Sequence, residues 1–152
     1  MVTSINTSQR CVILRIMRLL TFQTQSFGWK TYSKTLEDVP DVTVDKRVED
    51  ALVVFMHIER RDEDEPQRAL RYAAKHLKWL AKKQGITSIV LHSFAHLGGE
   101  SSSAAFARDL IQDLSEKLSA VGYALHMTPF GYFCSWDIDV QGHSLAKVYK
   151  AF

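Results

Sequence analysis

Residues 91–103 read LHSFAHLGGESSS, and the rest of the chain is laid out around them. An apolar run, residues 86–91, carries the backbone to His92, Ser93, Phe94, Ala95 and His96. Gly98 and Gly99 then permit a tight turn, and Ser101, Ser102 and Ser103 supply hydroxyls to cap the helix that begins there. The order is strand, glycine turn, capped helix. In an α/β protein the open end of such a unit collects small ligands, because free backbone N–H groups point outward from it. The stretch is read as one wall of a pocket.

Upstream, residues 66–84 form the clearest helix. Pro66 sits at a first-turn position, Leu70, Ala73, Ala74, Leu77, Leu80 and Ala81 make one apolar stripe, and Gly85 closes it. The remaining surface bears Arg68, Arg71, Lys75, Lys78, Lys82 and Lys83 without an acid among them. Such a face either meets phosphates or is simply solvated, and spacing alone leaves both open. Before the helix, RRDEDE at 60–65 reads as a solvated charge run whose acids suit the positive end of the helix dipole. Residues 51–58, ALVVFMHI, are nearly all apolar and β-prone, as a central strand covered on both faces should be. Residues 36–46, with Pro40 and several acids, read as a loop. Residues 11–22 read as a strand and 27–33 as its antiparallel return, making a first hairpin, and residues 1–10 as a loose polar terminus.

Downstream, Phe106, Leu110, Leu114 and Leu118 recur every four residues and mark a second amphipathic helix ending before Gly122. A short strand follows at 123–127, then a bend at Pro129, Phe130 and Gly131, and a long alternating strand at 132–140. Gly142 breaks it, and residues 144–152 form a short terminal element. Together these elements predict an α/β fold, one compact domain with a mixed β-sheet and two main helices. Thr128 to Tyr132 form the second wall of the pocket.

The chain has 152 residues, 46% hydrophobic and 24% charged, which suits a single globular domain. Its net charge of +2 says little about partners. Two cysteines, Cys11 and Cys134, give no disulfide framework, so a reducing cytoplasm is the expected compartment. The longest apolar runs are too short to span a bilayer, and Arg15 and Arg18 interrupt the stretch that could imitate a secretory signal.

Candidate chemistry is sparse. His92 and His96 stand four apart with Glu100 beyond, but the pair straddles a strand end and a turn rather than one helix face, so no metal is expected. Ser101, Ser102 and Ser103 lack a nucleophile elbow, and capping accounts for them. Cys134 has no activating neighbour in its strand and reads as an inert thiol. Gly98 and Gly99 match neither a Walker nor a dinucleotide fingerprint, so no cofactor is implied.

SFAHLGGE, followed after a helix by TPFGYF and then GHSLA, resembles the archaeal threonyl-tRNA synthetase editing domain, a relative of the D-aminoacyl-tRNA deacylases. The likeness runs from Met17 to Phe152, which leaves residues 1–16 as an N-terminal extension and 17–152 as the editing domain. The resemblance implies a deacylase-like fold, a homodimer, and hydrolysis of serine wrongly attached to threonine tRNA. It implies that Ser93, Phe94 and Ala95, with Phe130 and Gly131, hold the aminoacyl group and the terminal adenosine. Ile58 would line the pocket, His96 and Tyr132 would orient the seryl group, and the terminal ribose of the tRNA would assist the attacking water. Ile58, Phe94 and His96 become candidates for the sieve that excludes threonine's extra methyl. A first binding site gains only about 1–3 kcal/mol from that methyl, too little to reject serine, which is why a second site is needed.

Three departures from the family pattern stand out. Cys134 replaces a lysine that the family commonly carries two residues past the Pro-Phe-Gly-Tyr tyrosine, and Lys147 replaces a glutamate after Gly-His-x-Leu-Ala. These two changes raise the expectation that Lys147 restores the ammonium beside the ester, with Cys134 at the substrate. Gln23-Thr24-Gln25 stand where the family often has His-Ser-Asp. Lys75, Lys78 and Lys82 on the basic helix are the candidate tRNA contacts, and a catalytic threonyl-tRNA synthetase, in cis or in trans, is the implied partner. Two rival readings remain open, a D-aminoacyl-tRNA deacylase and a tRNA-binding module without catalysis.

Overall fold

The computed structural model describes residues 16–152, so the expected loose terminus and residues 11–15 of the expected first strand lie outside it. Eight elements follow in order: β1 (Arg18–Lys34), β2 (Asp45–His57), α1 (Pro66–Gln84), β3 (Ser88–Ser93), α2 (Ala104–Ser119), β4 (Ala124–Met127), β5 (Tyr132–Val140) and β6 (Lys147–Ala151). Short 3-10 turns at Arg60–Glu63 and Ser144–Ala146 precede α1 and β6. The strands form one mixed sheet in the order β4-β3-β2-β1-β5, and β6 also pairs with β1. β2, β3 and β4 run parallel, whereas β2, β5 and β6 are all antiparallel to β1. This is the mixed sheet with two helices that the sequence predicts.

The predicted first hairpin does not exist. β1 is one strand of 17 residues that passes straight through the polar stretch Gln23 to Ser26. Thr24 holds it together there: its side chain is buried and its hydroxyl donates to the Ala51 carbonyl across the ladder (2.8 Å). The outer edge of β1 is shared end to end, with β6 along Arg18 to Phe22 and β5 along Thr24 to Lys34. Register shifts between Thr24 and Ser26 and between Thr31 and Ser33 bend it. The bend is large. Phe55 lies opposite Leu20 and Trp136 opposite Trp29, nine positions further along β1, yet their ring centroids are 4.9 Å apart. The sheet curls until β5 covers the face of β2.

β2 is therefore buried on both sides, as its composition predicts. Leu52, Val54, Met56 and Ile58 face the helices with Leu77, Leu80, Leu91, Leu114 and Leu118. Ala51, Val53 and Phe55 face the curled half of the sheet with Phe27, Trp29 and Val90. α1 begins at Pro66 and ends at Gly85, which takes a left-handed conformation. The charge run before it differs from expectation: Asp62 is fully buried and accepts hydrogen bonds from the Met17 and Glu59 amides. It ties the start of β1 to the turn that enters α1.

Candidate active site

A cavity of about 410 Å3 opens where the end of β3, the start of α2 and the start of β5 meet. Its size is ordinary for a small-molecule site. Ile58, Ser93, Phe94, Ala95, His96, Phe130, Gly131, Tyr132 and Cys134 all line it, so the two walls expected from the sequence do face each other. Among the described residues, no Asp, Glu, Lys or Arg lines the cavity. The base is aromatic. Phe55, His92, Phe94 and Trp136 meet one another with centroids 4.9–6.2 Å apart, and the His96 ring stands edge-on to Phe94 at 5.2 Å.

The wall from Phe94 to Ser103 is stitched to the end of β2. Phe94 N–H donates to the Met56 carbonyl (2.8 Å), Ser102 N–H to the Ile58 carbonyl (3.1 Å) and Leu97 N–H to His57 Nδ1 (3.1 Å). These amides are thus unavailable to a ligand, contrary to a reading of the whole turn as free donors. Among the described residues, the amides of Ala95, His96, Phe130 and Gly131 have no protein acceptor. Gly98 and Gly99 arch over a partly buried ion pair between Arg18 and Glu59. Both have positive φ; a Cβ at Gly98 would come within 2.7 Å of the guanidinium and one at Gly99 would strike the carboxylate. Close approach, not anion binding, explains the two glycines. Of the serines, Ser103 is the helix cap, its hydroxyl accepting from Phe106 N–H at 3.2 Å.

Burial sets the protonation of the site. His92 is pushed down to about 4, so its ring is neutral near pH 7, and Nδ1 lies 2.7 Å from the Thr128 hydroxyl. The Cys134 thiol is pushed up and stays protonated. His57 is also lowered by burial and stands 3.1 Å from the hydroxyl of Ser101, another lining residue. The Tyr132 hydroxyl is already engaged: it donates to the Pro40 carbonyl (2.7 Å) and accepts from Val42 N–H (3.0 Å). Gly131 strengthens this link, its carbonyl accepting from Thr35 N–H (2.7 Å) while a Cβ there would meet Val39 at 2.8 Å. Tyr132 and Gly131 hold the loop between β1 and β2 against the cavity.

Lys147 is not in this group: it is exposed on β6 opposite Phe22 and is not among the residues that line the cavity. Gln23, one of the departing residues, meets His143 of the GHSLA segment, with Oε1 and Nε2 2.5 Å apart. Lys75 and Lys82 are exposed and Lys78 half-buried on α1, away from this cavity. Sequence reading missed Trp136 and Met56 as lining residues. The alternation Tyr132, Cys134, Trp136 along β5 carried the signal for the first, because every second residue of a strand shares a face. Met56 stands two residues before Ile58 in the run 51–58 and carried the same signal.

The curled mixed sheet with its helices on one side is that of a D-aminoacyl-tRNA deacylase-like domain. A solved structure titled as a probable eukaryotic D-amino acid tRNA deacylase superposes with a TM-score of 0.60 over 90% of this chain and 98% of its own, at 12% identity. Another, titled a c-Myc DNA unwinding element binding protein, gives 0.62 over 88% and 97%, at 11% identity. At such identities the likeness shows the fold alone. The family is shown by sequence: residues 17–152 match the archaea-specific editing domain of threonyl-tRNA synthetase, and the chain belongs to that family. The threonine-tRNA ligase of Pyrobaculum neutrophilum is 32% identical over 90% of this chain and 22% of its own length, and that of Methanococcus aeolicus 31% over 80% and 19%. The chain spans about a fifth of these relatives. Among the described residues, no helix is long and apolar enough to cross a membrane.

Proposed function

We propose that this chain hydrolyses the ester of L-serine mischarged on threonine tRNA. The observation that carries the reading is the uncharged cavity bounded by the two family motifs. A seryl group fits a site whose polar contacts are amides, hydroxyls and imidazoles, and the bulk of Met56, Ile58 and Phe94 in the lining supports a steric exclusion of the extra methyl. Water attacks the ester carbonyl carbon, the bond from that carbon to the ribose oxygen breaks, the ribose recovers its hydroxyl, and serine leaves. Among the described residues the lining holds no carboxylate or ammonium to activate the water, which supports a role for the ribose hydroxyl of the substrate itself. The amides of Ala95, His96, Phe130 and Gly131 are the donors available to the developing oxyanion. His96 orients the seryl group, and Tyr132 acts through the loop it fastens. The reading includes a homodimer and a cytoplasmic setting beside a catalytic threonyl-tRNA synthetase.

The test is deacylation of threonine tRNA charged with L-serine, L-threonine or D-serine. Serine is released, threonine and the D-ester are spared, and His96→Ala slows release by about 10²-fold, the order expected for a misplaced substrate. Lys147→Met leaves the rate unchanged, since the lysine stands outside the lining. Cleavage of the D-ester alone would make the chain a D-aminoacyl-tRNA deacylase. Binding without turnover would leave the tRNA-binding module, a reading favoured by the neutral Cys134 thiol where the family commonly carries a lysine.

A further inference from the structure

A second cavity, of about 480 Å3, lies between α1 and the end of the chain and shares no residue with the first. α1 supplies Arg68, Tyr72, Lys75, His76 and Trp79, which stand three or four residues apart along one side of the helix; Lys150 and Phe152 close the opposite wall. The walls are flat rings. Tyr72 stacks with Phe152 at 6.1 Å and 12°, His76 stacks with Trp79 at 6.1 Å and meets Phe152 edge-on at 5.7 Å. Trp79 is 50% exposed on the cationic side of α1, with Lys83 Nζ 5.7 Å from its ring centroid. Arg68 is held by Glu65, but Lys75 and Lys150 have no ion pair among the described residues. Inside, His76 Nε2 is buried without a hydrogen-bond partner among the described residues. Burial and the nearby Lys150 lower His76, so this nitrogen belongs to a neutral ring near pH 7.

We propose that this groove binds an unpaired nucleotide of the RNA partner, its base against Trp79 and its phosphate between Lys75 and Lys150. The inference rests on the reading of the chain as a tRNA editing domain. A flat ring and an anion on one ligand match aromatic walls with a cationic rim, and His76 Nε2 meets a polar edge of the base. An acidic peptide would satisfy the lysines and leave both the rings and the imidazole unused. α1 has no Asp or Glu along its length to repel a phosphate.

Calorimetric binding of AMP and of a four-nucleotide single-stranded RNA to the wild type, Trp79→Ala and Lys150→Gln tests it. Trp79→Ala weakens both by about tenfold, the order expected for one lost stacking contact, with the unfolding midpoint unchanged because the ring is half exposed. Lys150→Gln lowers the salt slope by about 0.7, one phosphate's share on a single strand. In the deacylation assay, Trp79→Ala raises the apparent KM for tRNA and spares the rate at saturation. Equal binding by wild type and Trp79→Ala overturns the proposal whatever the deacylation result. Groove-dependent binding of a polyglutamate peptide with no binding of AMP or RNA overturns it in favour of an acidic protein partner. Nucleotide binding that Trp79→Ala weakens, in a protein that turns over no ester, upholds the groove and overturns the editing reading instead.

Discussion

Ser101 and His57 look like a nucleophile and its base, but the proton runs the other way. His57 Nδ1 accepts the Leu97 N–H, so a neutral ring carries its proton on Nε2 and donates it to the Ser101 hydroxyl. A nucleophilic serine needs the reverse, a base able to take its proton. Burial lowers His57, which keeps the ring neutral near pH 7. Ser101→Ala therefore keeps serine release within about threefold of wild type, measured as the single-turnover rate; a drop of about 10²-fold, the usual contribution of a positioned base, would mean the ring turns over when substrate binds. Residue identity alone could not reveal this, because the tautomer is set by an amide forty positions from the histidine in sequence. Lys147 illustrates the same limit. Its place opposite Phe22 follows from the pairing of β6 with β1, which no local pattern specifies.

At the scale of elements, local pattern was a good guide where one element had one job. α1 starts and stops at its proline and glycine, and β5 spans Tyr132–Val140 as its alternation indicates. β1 departs from the expected hairpin because it does two jobs, pairing with β2 along one edge from Arg18 to Lys30 and with β6 and then β5 along the other. Its polar middle resembles a turn, yet Thr24 satisfies the ladder there. The loop between β1 and β2 is the element most exposed to test. It rests on the Tyr132 hydroxyl through Pro40 and Val42, two bonds worth about 0.5–1.5 kcal/mol each. Tyr132→Phe frees the loop: limited proteolysis within residues 35–44 speeds up by about tenfold, and KM rises with the saturated rate nearly unchanged. A fallen rate with the loop still protected would place the hydroxyl at the ester instead.

For the molecule as a whole, the buried Asp62 carboxylate ties the start of β1 to the turn that follows β2, accepting from Met17 N–H at 3.1 and 3.2 Å and from Glu59 N–H at 2.7 Å. Two influences oppose each other there. Removal from water favours the protonated acid, while donated hydrogen bonds favour the carboxylate. Removal from water dominates and pushes Asp62 up from 3.8 to about 6. Between those values the folded protein binds more protons than the unfolded chain, so this group's contribution to stability is full below 3.8 and is lost as pH rises through 6. Asp62→Asn removes the titration while keeping one acceptor oxygen. The stability of wild type minus that of Asp62→Asn, from denaturant unfolding, falls between pH 4 and 6 with a slope no steeper than about 1.4 kcal/mol per unit, then levels off. A difference that rises over the same interval would mean that the donated bonds outweigh burial. The carboxylate would then be ionised in the fold, and its bonds to Met17 and Glu59 would be charge-assisted.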